Sequence, residues 1–212
     1  MLKKVLGLCL AFCMVFTLMV PGYAQAKESS ISSDTIITEY NIYEVLEYLG
    51  IDSSTLVKAD TVTGVNTVGE LEKSISQAKK LPKTVNYTLG STNNTEDTKA
   101  YSLATSGTVA LYSEYDSGSY TVTYGCSGQF SNRSWTGVSG TNISIDTDQE
   151  VYVYKIASNP QLSANYTSST ITMKAKYTVD TYISILGLGL VKTGNSQNID
   201  STIKWLASTD IP

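Results

Sequence analysis

The chain has 212 residues, room for one ordinary domain or two small ones, and it is acidic, with 15 Lys and Arg against 19 Asp and Glu. It contains no histidine, which excludes Ser-His-Asp and Cys-His catalysis and any zinc site built on imidazole. Arg133 is the only arginine and no basic cluster occurs, so no nucleic-acid partner is expected: phosphate neutralisation needs many cations.

The first 26 residues read as a signal peptide. Lys3 and Lys4 precede an apolar run from Val5 to Val20, Pro21 and Gly22 break it, and Ala24-Gln25-Ala26 is a small-residue cleavage site. The run is too short for a comfortable span. The mature protein is expected to begin at Lys27, to be secreted and extracellular, and to have no stable membrane span after signal removal. It keeps 13 basic and 19 acidic residues, a net charge of −6. Cys9 and Cys13 leave with the signal. Cys126 then stands alone, no disulfide can form within one chain, and a buried, unreactive thiol is expected.

Residues 27–33 are Ser-rich and expected to be disordered. Residues 34–82 carry two helical patterns. The first has its N-cap at Ser33 or Asp34, an apolar stripe of Ile42, Val45, Leu46 and Leu49 extended by Tyr40 and Tyr43, and Gly50 as its C′ residue. Glu39, Glu44 and Glu47 are expected to face water. The second opens with a capping box at Thr67 and Glu70, buries Val68, Leu71, Ile75 and Ala78, and stops before Pro82. Gly50 to Asn66 shows no strong pattern. Both helices are too small to fold alone and are expected to pack on the rest.

From residue 84 to 212 the period changes from 3.6 to 2. Val109 to Ser113 alternates, Asp116 to Ser119 is a turn, and Tyr120, Val122, Tyr124 and Cys126 share one face. Ser131 to Gly140, rich in Gly and Ser, reads as a loop carrying Trp135. Short strands follow at Ile143–Ile145 and Val151–Ile156. Ile171 to Val179 alternates strictly, Ile183 to Val191 is apolar on both faces and reads as one central strand, and Ile199 to Trp205 alternates again. Strands without interleaved helices predict a mainly β protein: an antiparallel β-sandwich (or barrel) preceded by two short α-helices.

Candidate sites are few. After the signal there are 14 Tyr and 2 Trp but one Phe, more tyrosine than a core would choose, because each buried hydroxyl needs a partner. Trp135, Tyr152 and Tyr154 are the candidate ligand-binding residues, suited to stacking on sugar rings or anchoring an interface. Asp146, Asp148 and Glu150 alternate in one turn and form the candidate metal site, for calcium, although the EF-hand spacing is missing. Paired carboxylates of a glycosidase would have to come from Glu114, Asp116, Asp180, Asp200, Asp210 and that same turn. No cofactor is expected. The expected role is a secreted, non-enzymatic binding or structural module whose partner is cell-wall polysaccharide or an extracellular protein. The alternatives are an exported toxin or membrane-acting factor, and a small carboxylate-based hydrolase.

Overall fold

The computed structural model describes residues 30–90, 105–147, 149–157 and 159–211. The expected signal peptide, residues 1–26, and residues 27–29 of the Ser-rich stub lie outside them. In chain order the elements are α1 (Ile42–Tyr48), β1 (Leu56–Lys58), α2 (Val68–Ala78), β2 (Thr84–Leu89), β3 (Ser106–Asp116), β4 (Thr121–Ser131) and β5 (Ser134–Asp146). They continue with β6 (Tyr152–Ile156), β7 (Gln161–Tyr166), β8 (Thr170–Ile185), β9 (Gly189–Leu206) and α3 (Ala207–Asp210).

β8 and β9 form a long antiparallel hairpin, from Thr170 opposite Leu206 to Ile185 opposite Gly189. Each is long enough to serve two partners on its outer edge. β9 takes β1 near the hairpin turn and β2 further along. β8 takes β6 near the turn and β7 further along. The β2–β9 pair is parallel, the exception in an otherwise antiparallel six-stranded sheet. β3, β4 and β5 form a second, three-stranded meander. The two sheets pack as a sandwich. Val122, Tyr124, Phe130 and Trp135 come from the small sheet, and Ile171, Met173, Val179, Ile203 and Trp205 from the large one.

Ile183 to Val191 is therefore a hairpin tip and not one central strand. Gly187 (φ 72°) and Gly189 (φ 137°) make the reversal, and segment 57–65 covers it. Thr61 Oγ1 donates to Ile185 O at 2.5 Å and Gly187 N–H to Thr61 O at 2.9 Å. Covering on this side explains why both faces of the stretch are apolar. The patternless linker thus contributes β1 and a bridge from Val65 to Ile185.

α2 lies against β8 and β9 of the large sheet, and α3 follows the other end of β9, away from the hairpin turn. α2 has the expected capping box: Thr67 Oγ1 accepts from Glu70 N–H at 3.3 Å, and Glu70 Oε2 accepts from Thr67 N–H at 3.2 Å. The Asn66 and Thr67 amides hold the Glu70 carboxyl below the usual range. At the other end, Asn195 Nδ2 donates to Ala78 O at 2.7 Å, so a buried sheet residue satisfies an orphan helix carbonyl. α1 ends as expected in a Schellman motif, with Ile51 N–H donating to Leu46 O at 2.8 Å and Gly50 N–H to Glu47 O at 3.0 Å.

The start of α1 differs from the sequence reading. Residues 34–41 are turns, and the helix begins at Ile42. The reason is tertiary: Ser33 O and Thr35 O accept from Gly69 and Val68, capping α2 from outside. Asn41 meanwhile holds the turn, its Oδ1 accepting from Thr38 N–H at 2.7 Å and its Nδ2 donating to Ile36 O at 2.8 Å. Ser33, placed by sequence in a disordered stub, is thereby tied to the domain.

A Cβ on Gly189 would run into Val57 O and crowd Lys58 and Ala59, at a φ that L residues rarely adopt. Gly189→Ala should therefore lower stability by about 1–3 kcal/mol, as overpacking and backbone strain do. Urea midpoints of the two proteins test this; an unchanged midpoint would show that β1 can lift away at no cost.

Candidate contact surface

The aromatics singled out by sequence do not form an exposed platform. Trp135 lies in β5, two residues past a tight turn at Asn132-Arg133, and is only 2% exposed. It stands opposite Phe130 and fills space left by Gly128, where a Cβ would meet its ring at 2.7 Å. The Gly/Ser-rich stretch is thus a strand whose small residues admit close cross-strand contacts. Tyr154 is buried against Tyr120, ring centroids 4.8 Å apart. Tyr152 is half-buried and donates its hydroxyl to Gln77 Oε1 at 2.7 Å and, at 3.3 Å, to Ser74 O, docking α2 on the sheet. As placed, Trp135 and Tyr154 offer no face to a ligand.

Other tyrosines explain the excess within the core. The hydroxyls of Tyr87, Tyr124 and Tyr177 meet between the sheets, each hydrogen-bonded to the other two, and Ser201 Oγ donates to Tyr124 Oη at 3.3 Å. Three phenols can each donate once and accept once, so the ring closes without water. Burial raises all three above the ordinary phenol value. Cys126 is buried as expected, and burial pushes its thiol up to about 12. A thiol so seldom ionised is a poor nucleophile.

Five of the candidate carboxylates are engaged structurally, and Glu114 is exposed in β3. Asp116 Oδ1 accepts from Gly118 N–H, Asp146 Oδ1 from Thr147 N–H and Asp210 Oδ2 from Leu206 N–H. Asp180 pairs with Lys192 at 2.7 Å and Asp200 with Lys176 at 2.9 Å. Of the candidate metal site, Asp146 and Glu150 are exposed and Asp148 lies outside the described residues. No group of three metal-ligating acids, cysteines or histidines occurs among the described residues. No helix among them is long and apolar enough to cross a membrane.

What the structure does expose is the outer side of the helical end. The inward residues of α1 are Ile42, Val45 and Leu46. Tyr40 and Tyr43, both expected on that stripe, are instead 89% and 52% exposed, and Tyr48 is exposed too. The helix begins too late for Tyr40 to reach the core. Tyr43 and Tyr48 fall on the outward turns with Glu44 and Glu47. Ile36, Val57 and Val62 add exposed apolar side chains in the same segment. From Ser30 to Val57 there are five acids, Asp34, Glu39, Glu44, Glu47 and Asp52, and no base. The sequence signal is three tyrosines interleaved with glutamates, Tyr40 just before α1 and Tyr43 and Tyr48 on it, around an inward stripe of only Ile42, Val45 and Leu46. Elsewhere, the solvent face of the large sheet has a shallow groove of about 450 Å³ in which Lys176 and Asp200 neutralise each other.

Two outcomes are expected. Trp135→Ala should cost roughly 3–5 kcal/mol in stability, as for a buried aromatic; a denaturant midpoint shift below about 1 kcal/mol would return Trp135 to the surface. The second concerns pH. An unfolded phenol ionises near 10.0, whereas the buried three are held neutral above that. Their contribution is fully present below pH 10 and is lost as pH rises through the folded-state values. Stability should be flat to about pH 9 and fall beyond 10, with the last phenolate absorbance appearing only as the protein unfolds. Full ionisation of the native protein would break this expectation.

No family model and no curated protein matches the sequence. One solved structure is similar over part of the chain: a crystal structure of a two-domain protein of unknown function from Bacteroides thetaiotaomicron, with 7% identity and a TM-score of 0.31. The match covers 48% of this chain and 47% of the other, so the chain spans about half the length of that protein.

Proposed function

We propose that the protein is a secreted, non-enzymatic extracellular binding or structural module, and that its contact surface is the aromatic, acidic outer side of α1. The observation that carries this is the exposure of Tyr43 and Tyr48 on α1 and of Tyr40 in the turn just before it, flanked by Glu39, Glu44 and Glu47. Tyrosine is enriched at interfaces because its ring is apolar while its hydroxyl tolerates water when unbound. Aromatic faces stack on sugar C–H groups, and carboxylates accept from sugar hydroxyls or pair with the cations of a protein. The partner is cell-wall polysaccharide or an extracellular protein. Engagement of Asp116, Asp146 and Asp210 in turns and of Asp180 and Asp200 in ion pairs favours this reading over carboxylate catalysis.

The mature protein, expected to begin at Lys27 when recovered from culture medium, should be retained by purified cell wall or by a surface protein. Tyr40→Ala and Tyr43→Ala should each weaken retention by about 1–3 kcal/mol, the range of interface anchors, and move stability by less than about 0.5 kcal/mol. Salt separates the partners: release by salt indicates a basic protein surface, and retention in salt indicates stacking on polysaccharide. Retention unchanged in both variants would remove α1 from the contact surface.

A further inference from the structure

The sole arginine stands at one end of the sandwich, far in sequence from α1, on the two-residue turn between β4 and β5. Asn132 (φ 49°) and Arg133 (φ 59°) both take positive φ, as a tight hairpin turn of the primed type requires. Asn tolerates this conformation and the second position strongly favours Gly, so Arg there is strained. Asn132 N–H donates to Thr105 O at 2.7 Å and holds the turn in place.

Arg133 lines a cleft of about 770 Å³. Its walls are three chain segments: the β4–β5 turn with Ser134, the β7–β8 turn with Ser168 and Ser169, and the junction of β9 with α3, from Leu206 to Ser208. Backbone bonds fix the walls to one another. Trp135 N–H donates to Ser168 O at 2.9 Å, and Ala207 N–H to Ser169 O at 2.9 Å. Among the described residues Arg133 makes no ion pair, and the hydroxyls of Ser134, Ser168 and Ser208 make no hydrogen bond. The nearby Asp210 carboxylate accepts from Leu206 N–H at 2.6 Å.

We infer that this cleft binds an anionic group, a carboxylate or phosphate, with the Arg133 guanidinium as its fork and the serine hydroxyls as further donors. A guanidinium matches two oxygens of such a group, which an ammonium does not. The strained backbone at Arg133 is then explained by the side chain that the position carries. The same chemistry fits the carboxylate of an acidic sugar and the phosphate of a phosphate-bearing polymer.

The test uses the mature protein, titrated separately with glucuronate and with inorganic phosphate and followed by NMR shifts. Arg133→Gly removes the fork while easing the backbone. It should weaken anion binding at least tenfold and leave the thermal midpoint unchanged or raised by about 2–4 °C. Arg133→Lys should keep the charge but lose several-fold in affinity. The anion bound more tightly identifies the source. Absence of binding by both anions, or binding that Arg133→Gly retains, overturns the proposal. A lowered midpoint in Arg133→Gly would show that arginine serves the turn and would also overturn it.

Discussion

Backbone pairing along β9 constrains nearly every other element. Its inner edge is committed to β8 and its outer edge is divided between β1 and β2. At 18 residues it runs for about 60 Å, long enough for two short strands in tandem. β8 divides its own outer edge between β6 and β7. The small sheet covers one part of the resulting surface and α2 covers another. Tyr152 and Tyr154, two residues apart on β6, record the division: Tyr154 packs in the sandwich core and Tyr152 hydrogen-bonds α2.

Polar side chains secure this junction. Asn195 holds Ala78 O, Gln197 Nε2 donates to Pro82 O at 3.0 Å, and Tyr120 donates to Gln197 Oε1 at 3.2 Å. A chain of donors and acceptors therefore runs from Tyr120, just before β4, through Gln197 of β9 to Pro82, just after α2. Each of these groups is nearly buried, so each would be costly if unpaired. They fix where the helices sit, which apolar contact alone does not specify.

Much of the fold was legible in the residues. The alternation of Ile171 to Val179, the capping box at Thr67, Gly50 as a helix stop and the turn at Asp116 all depend on neighbours close in sequence, and each stands where its pattern puts it. What was hidden depends on distant partners. Trp135 looked like a loop residue because glycines surround it, and only its register against Phe130 and Gly128 shows that they make room for its ring. The late start of α1 is not legible, because nothing local reveals that Ser33 and Thr35 cap a different helix. Tyr40 lies outside the core for the same reason. Abundance of tyrosine pointed to two uses, core hydroxyl networks and exposed contact groups, but could not say which residue served which.

The tandem pairing along β9 has a consequence for the order of events in a newly made chain. Leu56 pairs with Val191 and Thr84 with Asn198, so β1 and β2 have no edge to join until the final strand exists. The β3–β5 meander, by contrast, draws its partners from adjacent sequence. At ordinary synthesis rates the first strands wait on the order of ten seconds for the last. Throughout that interval β1 and β2 have no strand to pair with, and the large sheet closes only when β9 arrives.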